Sequence, residues 1–140
     1  MSTSTKFSPK ATAETAPFWD ATARGELHLQ RCTSCDVHYF PPRPFCPTCH
    51  TDEVAWERVS GRGRLHTYVI NHRPAPGFEA EAPYVIAVVE LDEGPRMMAN
   101  VVEVSATPQA LPLDMPLEVT FEDQDGMQVP KFRPAMEVRR

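Results

Sequence analysis

All four cysteines of the chain lie in one stretch, RCTSCDVHYFPPRPFCPTCH, which spans residues 31–50. They form two Cys-x-x-Cys pairs that are separated by ten residues. Two residues between ligands let a single turn present two thiolates to one ion, and two such turns complete a tetrahedron. Zn²⁺ is the usual occupant of a tetrahedral site made of four thiolates. We therefore predict a structural zinc site whose ligands are Cys32, Cys35, Cys46 and Cys49.

Three other interpretations of the cysteines stay open from the residues alone: iron in a rubredoxin-like site, two disulfides, and a redox-active Cys-x-x-Cys pair. Zinc is favoured over disulfides because cysteine pairs in the cytoplasm are more often metal ligands. A site filled by four thiolates has no position for water or substrate, so it should be structural rather than catalytic. Asp36 and His50 follow the second cysteine of each pair, where the chain commonly turns through positive φ, and both residue types tolerate that conformation.

The length and composition limit the fold and the partners. At 140 residues and 15.7 kDa the chain is one domain or two very small ones. Fifteen prolines, about twice the average usage, argue against a mostly helical protein because proline blocks helix interiors. The net charge of −5 argues against a protein that coats nucleic acid. The acidity is concentrated in residues 65–140, which carry six basic and twelve acidic residues.

Short elements separated by proline and glycine fill the chain, and most of them have the pattern of strands. Residues 15–25 predict a short helix, with Pro17 suited to its first turn and Gly25 to its end. We predict a mainly β fold: the helix, a zinc ribbon, and a five-stranded OB-fold barrel, in which closure removes exposed strand edges. The predicted strands cover residues 26–31, 54–60, 64–73, 84–91, 96–104, 117–123 and 128–133.

The predicted domain organisation follows from these elements. Residues 1–14 are small and polar with almost nothing to bury, so we expect a disordered tail there. Residues 15–60 hold the helix and the ribbon, residues 61–135 form the barrel, and residues 136–140 are a second tail.

Two predicted barrel strands pose questions about their outer faces. The strand at 84–91 is apolar on both faces, so one face fills the barrel and the other needs a cover: the helix, the ribbon or another protein. Alternation along the strand at 64–73 places four side chains on one face: His66, Tyr68, Ile70 and His72. We interpret this face as a mixed polar exterior of the barrel rather than a pocket wall.

Targeting signals are missing from the sequence as given. The longest apolar run is only strand length, far below the ~18–20 residues that a membrane helix needs. The first residues, MSTSTKFSPKATAET, lack the apolar centre of a signal peptide. We therefore expect a cytoplasmic protein that does not enter a membrane.

Several segments together resemble a known family: FWDATARGELHLQRCTSCDVHYFPPRPFCPTCH, VSGRG, APYVIAVVELDEGPRMMANV, LEVTFED and the closing FRP. They are similar to the acyl-CoA-associated OB-fold proteins that carry an N-terminal rubredoxin-like zinc ribbon. The resemblance implies the same order of helix, ribbon and barrel. It also implies a non-catalytic scaffold subunit of an acyl-CoA enzyme in lipid or aromatic acid metabolism, paired with a thiolase-like protein in a hetero-oligomer such as a heterotetramer.

The residues themselves offer no active site, which agrees with that implication. A thiolase-type reaction needs a nucleophilic cysteine with a base, and the metal takes all four thiols. There is no G-x-S-x-G setting and no phosphate-binding glycine loop. Two alternatives are an accessory subunit of a hot-dog-fold enoyl-CoA hydratase and a nucleic-acid-binding OB/zinc-ribbon protein. The acidic barrel disfavours the second, because single strands bind basic grooves with stacking aromatics.

Six residues are candidates for contact with a partner or with CoA. Two large aromatic residues on a helix this short imply that it docks on this chain or on a partner. Arginine suits phosphate and carboxylate recognition, and CoA carries phosphates that a shared site with the partner could hold. The alternative for the arginines is a solubilising surface paired with local acids. The candidates are Phe18, Trp19, Arg43, Arg62, Arg64 and Arg73.

Overall fold

A computed structural model of the protein describes residues 9–135, which form one helix and eight strands with two short 3₁₀ turns. Within this range, no helix is both long enough and apolar enough to span a membrane. Residues 1–8 of the tail predicted at 1–14, and the whole tail predicted at 136–140, lie outside the described residues. The elements are α1 (Ala16–Ala23), β1 (His28–Cys32), β2 (His38–Tyr39), β3 (Val54–Arg58), β4 (Arg62–Asn71), β5 (Tyr84–Leu91), β6 (Arg96–Val101), β7 (Pro116–Gln124) and β8 (Met127–Pro134), with 3₁₀ turns at Glu79–Glu81 and Pro108–Ala110.

The first three strands form a small antiparallel sheet in the order β2-β1-β3. The central strand β1 pairs with β3 from His28↔Arg58 to Cys32↔Val54 and with β2 through two residue pairs. Strand β1 ends at a cysteine and β2 follows the second cysteine of the first pair, so this sheet holds the first cysteine turn. Strand β2 was not predicted, because its two residues precede a proline-rich segment that has no strand pattern.

The remaining five strands form a closed barrel in the order β4-β5-β6-β8-β7. Strands β4 and β5, β5 and β6, and β7 and β8 pair antiparallel, and a parallel contact between Val101 of β6 and Phe132 of β8 joins the two groups. The start of β4 closes the barrel by pairing residues 62–64 with residues 116–118 of β7. The mainly β prediction, with one helix, four ribbon cysteines and a five-stranded barrel, is confirmed.

One continuous core joins the ribbon sheet to the barrel. Helix α1 packs against β1 and β8. It inserts Phe18 into the same apolar cluster as Leu29 of β1 and Leu27, which directly precedes that strand. The barrel contributes Phe132 and Leu65, both fully buried, to that cluster. Burial of this kind stabilises a fold by about 25 cal/mol per Å² of apolar surface. The ribbon and the barrel are therefore packed on each other through apolar side chains.

A bulge in β4 changes which residues face outward. The pairing with β5 shifts between Leu65 and Thr67, so Tyr68 lies opposite Ala87 and Ile70 opposite Val85. Both Tyr68 and Ile70 therefore pack against the core, while the two histidines of the predicted face remain exposed. The prediction that these four side chains share an outer face is wrong, because a bulge adds one residue and reverses the alternation beyond it.

Strand β5 has the two apolar faces that its sequence predicts. Its inner face is fully buried in the barrel, with Val89 completely inaccessible. On its outer face, Ile86 and Val88 are half-buried beside Val69 of β4 and Met98 of β6, which are 59% and 69% exposed. Exposure of that size means that neither the helix nor the ribbon covers this face.

Candidate functional site

The four cysteine sulfurs converge on one point at the edge of the ribbon sheet. All four Sγ atoms lie within 4.8 Å of one another. The Sγ atoms of Cys32 and Cys49 are 3.5 Å apart, and those of Cys35 and Cys46 are 3.6 Å apart. A tetrahedral Zn–S bond of about 2.3 Å places sulfurs about 3.8 Å apart, whereas a disulfide needs about 2.05 Å. The donor set therefore fits a zinc ion and not a pair of disulfides.

The backbone of each cysteine turn is closed in the same way. The N–H of Asp36 donates to the carbonyl of Cys32, and the N–H of His50 donates to the carbonyl of Cys46, both at 2.9 Å. These bonds require positive φ, which is 62° at Asp36 and 65° at His50. The prediction that these two residues adopt the left-handed conformation is confirmed, and the two turns have equivalent geometry.

Backbone N–H groups point at two of the sulfurs. The N–H of Cys35 lies 3.3 Å from Cys32 Sγ, and the N–H of Thr48 lies 3.3 Å from Cys46 Sγ. Donation to sulfur favours the thiolate, and the N–H of Cys35 is the largest cause that lowers the pKa of Cys32. Burial raises the pKa of Cys46, but donation from the N–H groups of Cys49 and Thr48, together with hydrogen bonds from the thiols of Cys35 and Cys32, outweighs it and lowers the pKa to about 6.

The pKa of a third cysteine, Cys35, is shifted upward, and this shift explains why the site needs a cation. Burial is the largest cause that raises the pKa of Cys35, to about 12, and the neighbouring thiols raise it further. Four thiolates this close repel one another, so the site needs a central positive charge to hold all of them deprotonated. A bound Zn²⁺ would supply that charge and fix the two turns, without a free position for chemistry.

The proline-rich segment between the turns is fastened to the ribbon sheet. The amide N–H of Arg43 donates to Gln30 Oε1 at 2.7 Å, and the hydroxyl of Tyr39 donates to the carbonyl of Arg43 at 3.0 Å. Gln30 and Tyr39 are both buried, so these bonds form away from solvent. They fix the backbone that leads into Cys46, whose side chain is completely buried.

The ribbon histidines are not part of the metal cluster. Nε2 of His38 lies 2.7 Å from Oε1 of Glu57 on β3, and Arg31 also contacts that carboxylate at 3.1 Å. Hydrogen bonding to His38 is the largest cause that lowers the pKa of Glu57. These contacts brace the outer face of the ribbon sheet, so their role is structural.

The two candidate aromatics on α1 differ in exposure. Phe18 is only 4% exposed, with its ring centroid 4.9 Å from that of Trp19 and 5.7 Å from that of Phe40. It belongs to the core of this chain and has almost no surface left for a partner or CoA. Its assignment as a contact residue is corrected accordingly, because the helix docks on its own barrel. Trp19 is half-buried at the edge of the same core.

The candidate arginines do not converge on one phosphate site. Arg62 and Arg64 lie on the same side of β4, where Arg62 is 3.7 Å from Glu118 and Arg64 donates to the carbonyl of Asp114 at 2.9 Å. Arg73 follows the other end of β4, up to about 30 Å away at the rise of an extended strand. Arg43 lies in the proline-rich segment of the ribbon. All four are exposed, which is compatible with separate contacts to a large partner.

The outer face of β4, β5 and β6 is a feature that the sequence only partly indicated. It contains two shallow depressions of about 290 and 190 Å³, and Ile86 and Met98 line both of them. The two-sided apolar pattern of β5 predicted that something must cover this face. The contributions of Val69 and Met98 were missed, because each is an ordinary apolar residue in a strand until the register is known.

A four-cysteine ribbon followed by a closed OB barrel defines a class, the zinc-ribbon OB-fold proteins. Residues 19–55 match the family described as "ChsH2, rubredoxin-like zinc ribbon domain", and residues 56–122 match "ChsH2, C-terminal OB-fold domain". The chain thus belongs to the ChsH2 family, whose members include DUF35 scaffold proteins. The ribbon match together with the four-sulfur geometry confirms the prediction of structural zinc.

Similar proteins differ in length and in how they are described. The chain is 37% identical to a DUF35 domain-containing scaffold protein of Methanocaldococcus jannaschii, over 74% of this chain and 78% of that protein. It is 33% identical to a probable enoyl-CoA hydratase alpha subunit of Thermomonospora curvata, over 91% of this chain but only 40% of that protein's length. A chain in the solved structure of the Ltp2-ChsH2(DUF35) aldolase is 33% identical and superposes with a TM-score of 0.81, covering 92% of this chain and all of that one.

Proposed function

We propose that this chain is a non-catalytic, zinc-binding accessory subunit that stabilises an acyl-CoA-processing enzyme and helps to shape its CoA or acyl site. The observation that carries the proposal is the match, over 92% of this chain and all of that one, to a chain of the Ltp2-ChsH2(DUF35) aldolase. The site chemistry supports it, because a closed four-thiolate site leaves no cysteine free in the chain as a nucleophile. Catalysis would therefore reside in the partner.

The proposed partner is a thiolase-type enzyme, meaning a thiolase, an aldolase or an acyltransferase of that fold, in a cytoplasmic hetero-oligomer such as a heterotetramer. The aldolase described above supports this choice over other acyl-CoA enzymes. Contact with CoA would be shared with the partner through exposed groups. The residues proposed for partner or CoA contact are Trp19, Arg43, Arg62, Arg64 and Arg73.

A specific observation favours a second candidate, an accessory subunit of an enoyl-CoA hydratase. Two relatives are described as hydratase alpha subunits, and the chain is 33% and 34% identical to them over 40% and 36% of their lengths. In that case the same module would serve a hydratase of hot-dog fold rather than a thiolase-type enzyme.

The test is co-purification of the zinc-loaded chain with its partner, followed by assays of the partner with and without this chain. We expect no turnover by the chain alone, and loss of solubility or activity of the partner when the chain is removed. Assaying the complex for hydration of an unsaturated acyl-CoA and for carbon–carbon bond formation or cleavage separates the two candidates. A partner that is fully active and stable alone contradicts both of them.

A further inference from the structure

The pairing register of β4, β5 and β6 fixes which side chains are neighbours on the outer face of these strands. One cross-strand row is Val69, Ile86 and Asn100, and the next is Thr67, Val88 and Met98. The four apolar members of these rows are therefore adjacent in space, since cross-strand neighbours are about 4.5–5.5 Å apart. We refer to Val69, Ile86, Val88 and Met98 as the barrel patch.

The barrel patch is accessible in the described part of the chain. Val69 and Met98 are among the most exposed large apolar residues, and Ile86 forms the floor between them. The loop that connects β4 to β5 contributes Phe78, which lines the larger depression, and its ring centroid lies 6.2 Å from that of Tyr84 with the two rings tilted by 53°. Contiguous apolar surface of this kind marks a binding site rather than a solvated face.

The charges that border the barrel patch indicate the chemistry of its partner. The next cross-strand row consists of Arg64, Glu90 and Arg96, all exposed. Two arginines against one glutamate give this end of the patch a net charge of +1, although residues 65–140 as a whole carry −6. An apolar centre with an arginine-bearing rim matches the composition of protein–protein interfaces, in which arginine and methionine are enriched.

The same composition disfavours nucleic acid. In OB folds the face of the second and third strands is the usual ligand-binding face, and here those strands are β5 and β6. Oligonucleotide binding on that face needs aromatic side chains on which bases can stack. The barrel patch itself presents aliphatic residues and a methionine, which pack against apolar side chains of a protein. The aromatic residues beside it, Phe78 and Tyr84, contact each other at one end of the larger depression.

We infer that the barrel patch is the docking surface for the catalytic subunit, which binds it with an apolar surface bordered by carboxylates that face Arg64 and Arg96. The inference rests on the proposed function and adds the face and the chemistry of contact. It assigns to the partner the apolar side chains that cover β5 and the acidic groups that pair with the arginine row.

The experiment titrates the purified catalytic subunit, recovered with the zinc-loaded wild-type chain and identified by mass spectrometry, against purified variants of this chain. The test variant is Val69→Lys/Met98→Lys, which adds charge at two highly exposed positions and should leave the melting temperature unchanged. The control is Leu113→Lys, which adds one positive charge, half the charge of the test variant, at a residue that is 63% exposed in the loop before β7. We expect the test variant to weaken binding at least tenfold and the control to change it less than twofold.

A second variant tests the charged border independently. Arg96→Glu replaces a positive charge with a negative one at an exposed site, so we expect slower association and a weaker dependence of the association rate on salt. If the double-lysine variant and Arg96→Glu both bind the catalytic subunit as tightly as the wild type does, the inference is overturned and the proposed function is left intact. Failure to recover any acyl-CoA enzyme subunit with the wild type refutes the proposed function and this inference together.

Two further outcomes would also overturn the inference. The first is a wild-type homodimer that the double-lysine variant converts to a monomer in sedimentation experiments, which would make a second copy the occupant of the barrel patch. The second is saturable binding of a single-stranded oligonucleotide by the wild type at physiological salt, with competition by the catalytic subunit.

Discussion

Replacing Gly61 with alanine should destabilise the junction between the ribbon and the barrel. Gly61 precedes β4 and has a φ of +76°, and its carbonyl accepts the N–H of Val119 at 2.7 Å. A Cβ atom built there would lie 2.4 Å from Cγ1 and 3.3 Å from Cβ of Val119. The branched side chain of Val119 stands on a barrel strand and cannot move aside without shifting β7.

The expected loss in the free energy of unfolding has two parts, and a matched control variant separates them. An alanine in the left-handed region costs roughly 1–2 kcal/mol, and forcing a methyl group into an occupied space costs about 1–3 kcal/mol more. Gly25 has nearly the same φ, +77°, but nothing within 4 Å of its added Cβ. We expect Gly61→Ala to lower the free energy of unfolding by about 2–5 kcal/mol and Gly25→Ala to lower it by about 1–2 kcal/mol. The entropy lost from the unfolded chain is the same in both variants and cancels.

The assay is equilibrium urea unfolding of the zinc-saturated protein, with free zinc held constant because bound metal raises apparent stability. Adding Val119→Ala removes the clashing methyl group but keeps the Cβ at 3.3 Å, so in that background the cost of Gly61→Ala should fall close to that of Gly25→Ala. This is a double-mutant cycle, and its coupling energy measures the steric part directly. If Gly61→Ala is no more destabilising than Gly25→Ala, or if Val119→Ala does not reduce its cost, the steric account is refuted.

Three further predictions concern the metal, the core and pH. Cys46→Ser should release zinc and unfold the ribbon, measured by metal analysis and circular dichroism, whereas Ser34→Ala in the other cysteine turn should retain the metal. Phe132→Ala should lose about 3–5 kcal/mol in urea unfolding because its fully buried ring lies in the shared core, and a loss below 1 kcal/mol would contradict that placement. Donation from His28, followed by the charges of Arg58 and Arg24, holds the pKa of Glu26 below 4.5, so its folded-state pKa is lower than its unfolded one. The stabilisation is therefore present above pH 4.5 and is lost as the pH falls, and Glu26→Gln should be less stable than wild type at neutral pH but equally stable in acid.

Local sequence patterns predicted most of the fold because the elements are short and clearly bounded. The strand predicted at 84–91 coincides with β5, since a proline precedes it and a Glu-Gly-Pro turn follows it. The helix predicted at 15–25 is observed as Ala16–Ala23. Two features depend on pairing rather than on local pattern: β2 exists because β1 lies beside it, and the β4 bulge exists because the strand must pair with β5 while the barrel closes.

The candidate site divides in the same way between local and long-range information. The metal cluster could be predicted because cysteine spacing alone fixes which sulfurs can meet. The strand predicted at 64–73 already separates Arg73 from Arg64, whereas the partners of the other arginines, such as Glu118 beside Arg62, depend on which strands pair. Phe18 was named as a candidate partner contact because an aromatic residue on a short helix has the same pattern whether it docks on its own barrel or on a partner.

The shared core explains how a closed metal site can matter to a scaffold protein. Zinc holds the cysteine turns at the end of β1, and Leu29 of that strand and Leu27 just before it lie in the same apolar cluster as Phe132 of β8. Free energy from metal binding therefore stabilises α1, β1 and the barrel side on which they pack. The barrel patch lies on β4, β5 and β6, and helix α1 packs on β1 and β8. The metal site thus supports the fold from one side of the barrel and leaves another face free for a partner.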